Sequence, residues 1–154
     1  MVQSLKDYGT PFLKKLFKLL IEDRTFFITI SSVLNPDYFV EDRYKLLYKV
    51  LFSHFEKYHS IPSYETLESV FSHIKDMDSK ESMIKLTEEI KEIDYVDMQY
   101  IKDETILFCR HQTLKSYIIT STQKLKVHDY EGIEADMMNA IKKIDLDHNL
   151  DHNY

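Results

Sequence analysis

The last ten residues, DLDHNLDHNY, hold the densest run of side chains suited to chemistry. Asp-His-Asn recurs there with a step of four, so on a helix His148 and His152 share a face, with Asp147 and Asp151 beside them. Imidazole and carboxylate are ligands for zinc or nickel, but such a site needs three or four ligands held by a second layer of hydrogen bonds. An acidic, polar chain end provides no such frame. Adventitious ion binding is the expectation, and no metal site is assigned.

Two other arrangements invite chemistry. Glu56 and His59 in EKYH form the sole Glu-x-x-His, whereas a di-iron bundle needs two such pairs and two more inward glutamates. Glu56 also falls on the polar side of its helix pattern, so a carboxylate metal centre is rejected. His111 stands on an apolar stripe, where it reads as a structural histidine or as a pH-sensitive group at an interface. No nucleophile with a nearby base stands out, so no catalytic residue and no enzyme activity are assigned to the chain.

Composition narrows the classes further. With only Gly9 and Gly132, neither GxxxxGK[ST] nor GxGxxG can be written, so no phosphate-cradling loop and no bound ATP, Mg or dinucleotide are expected. A net charge of −6 opposes unaided binding to a phosphate backbone. Lys14, Lys15 and Lys18 make one small basic face, by default solvated, and a weak site for DNA or an acidic partner. The tyrosines and phenylalanines fall mostly on core stripes rather than forming base-stacking platforms. A single cysteine, Cys109, excludes an internal disulfide, and the start MVQSLKDYGT lacks the apolar core of a signal peptide. The longest apolar cluster, FLKKLFKLLI, is cut by lysines and far short of the roughly 20 residues a membrane span needs. No membrane is expected as a partner, and a soluble cytoplasmic protein is expected.

The elements that must carry any function are helices, since two glycines and three prolines leave few breaks in 154 residues. Thr10-Pro11 reads as a helix start after a tail over 1–10. Leu13, Leu16, Phe17, Leu20 and Ile21 then recur at helical spacing. Asp23 caps a second helix with Phe26, Phe27, Ile30, Val33 and Leu34 inward. The turn NPDYF (Asn35 to Phe39) ends it, with Tyr38 and Phe39 plugging the core. Asp42 opens a third helix, Ser63 caps a fourth, and the break DMDS (Asp76 to Ser79) precedes a fifth. These make a compact head of about five short helices over 11–95.

From Val96 to Val127 there is neither proline nor glycine, enough for a helix of nearly 50 Å. Tyr100, Leu107, Leu114, Ile118 and Leu125 fall on one stripe with His111 and Ser121, close to a heptad seam. Ile101, Phe108 and Ile119 form a second stripe that one packing partner would leave wet. HDYEG (His128 to Gly132) turns the chain into a last helix with Ile133, Met137, Ile141 and Ile144 inward. The fold expected is all-α, a head followed by a long antiparallel helical hairpin over 96–144. The second stripe suits a self-complementary two-fold contact. Ile101, Phe108 and Ile119 are assigned to it, with Leu107, His111, Leu114 and Ile118 nearby. Its alternative is that the stripe packs on its own head.

Four stretches carry a resemblance to a known family: LNPDYF (Leu34 to Phe39), KYHSIPSYETL (Lys57 to Leu67), YIKDETILFCRHQTLKSYIITSTQKL (Tyr100 to Leu125) and DYEGIEADMMNAI (Asp129 to Ile141). In this order and spacing they look like the N-terminal domain of a DnaB-family replicative DNA helicase, most similar to the tailed-phage branch. DHNY (Asp151 to Tyr154) then resembles the start of a linker, placed over 145–154, to an ATPase domain that this chain lacks. The resemblance implies an oligomerisation scaffold for DNA replication, in which pairs build a collar above a hexameric motor. Its implied partners are copies of itself, primase and a helicase loader. Single-stranded DNA would be met only through the parent hexamer, and ATP and Mg only in the motor. The rival expectation is a free-standing phage adaptor, a loader or inhibitor acting through protein contacts.

Overall fold

A computed structural model describes residues 3–152 of the chain, with side chains from 3 to 145. The chain is all-α: α1 (Thr10–Glu22), α2 (Arg24–Ile30), α3 (Asp42–Tyr58), α4 (Tyr64–Ser72) and α5 (Met77–Glu92) form the head. α6 (Met98–Lys126) and α7 (Tyr130–His152) are the two antiparallel arms of the hairpin. Two short 3₁₀ turns, Leu5–Tyr8 and Pro36–Phe39, add to the head. Among the described residues no helix is long and apolar enough to cross a membrane.

α1 is the axis of the head. Phe12, Leu13, Leu16, Phe17, Leu19, Leu20 and Ile21 are all buried, which takes in nearly its whole circumference. A helix apolar on all sides is a central one, and α1 touches α2, α5, α6 and the first 3₁₀ turn. Around it Phe17, Phe39, Tyr44 and Tyr48 form a chain of ring contacts, with centroids 5.0 to 5.7 Å apart. Such ring pairs add to the stability gained from area burial alone.

Polar side chains mark most helix starts. Asp23 accepts from the Phe26 amide, Ser63 from Thr66 and Asp76 from Ser79, each removing one of the unsatisfied donors at a helix N-terminus. α1 differs: Gly9, at φ 95, occupies its N-cap, and Thr10 is already helical. Residues 3–10, expected as part of a tail, are packed on the head instead. Leu5 is fully buried and Tyr8 stacks on Phe12 with centroids 4.2 Å apart, because α1 needs cover at its N-terminal end.

The hairpin turn follows a Schellman pattern. The Asp129 amide donates to the Lys124 carbonyl and the His128 amide to Leu125, while His128 takes the left-handed conformation at φ 60. Asp129 then accepts from the Gly132 amide at 3.0 Å, and any Cβ at Gly132 would strike that carboxylate. Beyond 144, where a linker was expected, α7 continues as helix to His152; no proline or glycine follows Gly132 to stop it. The histidine pair at 148 and 152 lies outside the residues whose side chains are described.

Among the described residues Val40 is the one β-branched residue held at positive φ, at φ 70 and ψ −54, in a tight turn closed by the Glu41 amide on the Phe39 carbonyl at 2.8 Å. That is the rare, strained form of the three-residue turn. The Val40 side chain is exposed, so it recovers little by packing. Val40→Gly is therefore expected to raise the urea midpoint, by about 1 kcal/mol of stability; a lowered midpoint would show that the turn is not strained.

Candidate functional site

The hairpin is built from a root, a seam and an outer flank. At the root, the first three turns of α6 enter the head: Ile101, Thr105, Ile106, Phe108 and Cys109 are buried. The Thr105 hydroxyl donates to the Ile101 carbonyl at 2.7 Å, which lets a polar side chain sit in the apolar contact. The Phe108 ring meets Tyr38 and Tyr8 edge-on, with centroids 5.4 and 6.4 Å away.

Polar contacts then lock the root. Lys102 pairs with Asp23 at 2.8 Å, so the residue that caps α2 also anchors α6. Burial raises the Asp23 carboxyl, but the Lys102 ammonium and the Phe26 amide outweigh it and hold the group below its ordinary range. The Tyr8 hydroxyl donates to Glu104 at 3.3 Å. Burial and the facing Glu104 carboxylate push that phenol up to about 12.

This root corrects the assignment of the self-contact. Ile101 and Phe108 are each only 3% exposed and belong to the chain's own core, so neither can meet another copy. The second stripe packs on its own head because α1, Tyr8 and Tyr38 need that face of α6. Ile119, farther along the same direction, has passed beyond the head and is exposed.

On α6 the seam between the arms is also not the expected apolar stripe, whereas on α7 Ile133 and Ile144 stand in it as expected. From α6 it takes Thr113, Tyr117, Thr120, Ser121 and Lys124, all half-buried. From α7 it takes Ile133, Asp136, Ala140 and Ile144, of which only Ala140 is buried. Lys124 pairs across it with Asp136 at 2.8 Å. Near the head the arms leave a cavity of about 290 Å³, lined by Asn35, Gln112, Thr113, Asn139 and other polar side chains. A cleft so lined holds water rather than excluding it.

The apolar residues sit instead on the outer flank. Leu107 is 51% and Ile118 60% exposed, and Leu114, Leu125, Met137 and Ile141 are exposed with them. Met137 and Ile141 were expected inward, and the structure turns both out. His111 is half-buried within this stripe. At about 100° per residue the α6 stripe lies roughly 120° from its seam residues, and Met137 and Ile141 lie roughly 75° from theirs in the same sense. In antiparallel arms, equal senses bring both stripes to one flank. Leu107, His111, Leu114, Ile118 and Leu125 thus join Met137 and Ile141 in one continuous face.

The basic face of α1 is not a docking site. Lys14 pairs with Glu89 at 2.6 Å, Lys15 with Asp94 at 3.0 Å, and the buried Lys18 with Glu22 at 3.1 Å. Lys15 and Lys18 also donate to the carbonyls of Val96 and Lys91, at and just past the C-terminal end of α5. These are struts between α1 and α5, placed where cations complement a helix C-terminus. Among the described residues no group of three or more His, Cys, Asp or Glu is placed to hold a metal ion.

The Asp23 anchor generates a pH test of the root. Its depressed carboxyl contributes stability that is present above the unfolded value near 4 and is lost as pH falls through the folded value. Asp23→Asn keeps the cap and removes the charge. It is expected to cost about 1 kcal/mol at neutral pH, the upper end for a partly exposed ion pair, with the gap to wild type closing as pH falls below about 4. Urea unfolding at pH 7 and pH 3 measures this; a gap independent of pH would refute the anchor. No family model, no curated protein and no solved structure matches this chain.

Proposed function

We propose that this chain is an assembly scaffold whose hairpin clasps a second copy, the role implied by its resemblance to the N-terminal collar domain of a DnaB-family replicative helicase. The observation that carries this reading is the exposed flank: the seam takes up Ile133, Ala140 and Ile144 of α7 and mainly polar side chains of α6, while Leu107, Leu114, Ile118, Leu125, Met137 and Ile141 are exposed on one flank. Contiguous apolar flanks mark protein contacts. A flank that carries both arms is self-complementary about a two-fold axis, and two hairpins so apposed form a four-helix bundle with the stripes as its core. In the collar role, such pairs dock primase and a helicase loader, and the chain acts through contacts rather than through a reaction.

Light scattering tests the clasp. Wild type is expected to run as a dimer or a ring of dimers, and Ile118→Asp and Leu114→Asp as monomers with unchanged helical circular dichroism. Both positions are exposed in the single chain, so the substitutions leave its core intact. A wild type that stays monomeric up to its solubility limit would refute the clasp.

A further inference from the structure

The two arms of the hairpin carry opposite charge beside the exposed flank. Between Thr105 and Val127, α6 holds Arg110, Lys115, Lys124 and Lys126 and no carboxylate. Lys124 is taken up in the seam by Asp136, and Lys115 borders the flank, roughly 60° around the helix from Ile118. On α7 the row of Met137 and Ile141 continues as Glu134 and Asp145, both exposed and within roughly 40° of Ile141. Lys142 and Lys143 point roughly 100° and 160° away from Ile141, off the flank. One rim of the flank is therefore basic and the other acidic.

The charges are also matched in level. Counted along the arms from the Lys124–Asp136 pair, Lys115 is nine residues back on α6 and Asp145 nine residues on along α7, so the two stand level. Lys126 and Glu134, two residues beyond the pair on the turn side, stand level as well. Within one chain they do not meet, because both lysines leave α6 on the side away from α7. Two flanks can be apposed about a two-fold axis in two ways. An axis along the bundle lays α6 on the partner's α7, with both heads at one end. An axis across it lays α6 on α6 and α7 on α7, with the heads at opposite ends.

We infer that two copies join with their heads at the same end, an inference that rests on the clasp proposed above. This arrangement sets Lys115 level with Asp145 of the partner subunit and Lys126 level with Glu134 of the partner subunit. The other sets basic rim on basic rim and acidic on acidic, and like charges across an interface select against it. Ile101, Thr105, Phe108 and Cys109 hold the head on α6 roughly 135° around from the flank, so the head stands back and charge decides. Helices of a bundle cross at about 20°, so the copies approach most closely midway along the free half of α6, at the level of Ile118.

Charge reversal tests the arrangement, because its sign differs between the two. Lys115 and Asp145 are exposed in the single chain, so reversing them leaves its core intact. Lys115→Glu and Asp145→Lys are each expected to weaken the dimer about fivefold in sedimentation at low salt, and the double variant to restore it. With the heads at opposite ends, either single reversal would instead tighten the dimer. A spin label on Val127→Cys, at the exposed tip, gives a second readout, since Cys109 is fully buried. Heads at one end bring the two tips within about 20 Å, and heads at opposite ends hold them at least about 25 Å apart. Single reversals that tighten the dimer or leave it unchanged, a double variant no better than either, or distant tips would each overturn the inference while the clasp stands. A monomeric wild type would overturn both.

Discussion

A helix has one circumference, and the head claims a third of it on α6. Ile101, Thr105, Phe108 and Cys109 face the core, and Lys102 and Glu104 beside them are tied to Asp23 and Tyr8. With that side committed, α7 lies against Thr113, Tyr117, Thr120 and Lys124. The remaining direction carries Leu107, Leu114, Ile118 and Leu125. The exposed flank is thus a consequence of the root, because rotating α6 to hide those side chains against α7 would pull Ile101 and Phe108 out of the head. Burial of each such side chain is worth about 1.5–3 kcal/mol, so the root cannot yield.

The head can hold the root because it is cross-braced by charge as well as by packing. Lys14, Lys15 and Lys18 leave the central helix at its one non-apolar edge and reach carboxylates and carbonyls of the α5 region. The acceptors respond: the Glu89 and Asp94 carboxyls are held below their ordinary range by their lysines. On the other side, the Tyr64 hydroxyl of α4 donates to Glu22 at the end of α1. Burial, with that carboxylate opposite, pushes the Tyr64 phenol upward, so the proton stays on the phenol at any physiological pH.

Much of this was legible in the sequence, and the part that was not has a common cause. Caps at Asp23 and Ser63, the polar break at Asp76 to Ser79 and the break-free stretch after Val96 announce the helices, since capping and period are local properties. Which face of a long helix meets which neighbour is not local. Two stripes on α6 were visible, but their assignment depends on whether the head or α7 takes the stripe of Ile101 and Phe108, and apolarity alone ranks them equally. The pairing of the α1 lysines is hidden for the same reason, because the partners of Lys14 and Lys15, Glu89 and Asp94, stand more than 70 positions away. The burial of Leu5 and the packing of Tyr8 could have been suspected from an apolar residue and a ring just ahead of a helix apolar on all sides.

The largely polar seam and the exposed apolar flank fit one another energetically. In an isolated hairpin the α6 side of the seam contributes little, because Thr, Ser and an ion pair exchange water for partners of similar strength, and the apolar contribution is left to Ile133, Ala140 and Ile144 of α7. Six half-exposed apolar side chains per copy each retain roughly 1 kcal/mol of unrealised burial, so a symmetric pair holds of the order of the ~4–15 kcal/mol that association costs. The balance is close enough that a few central positions decide it. Ile118 is the most exposed of the six and stands in the free half of α6, beyond the head and short of the turn, where a two-fold axis would bring it nearest its own counterpart. An affinity set by so few side chains would leave the proposed clasp reversible when the chain is alone and firm when further contacts add to it, as the proposed collar role would require.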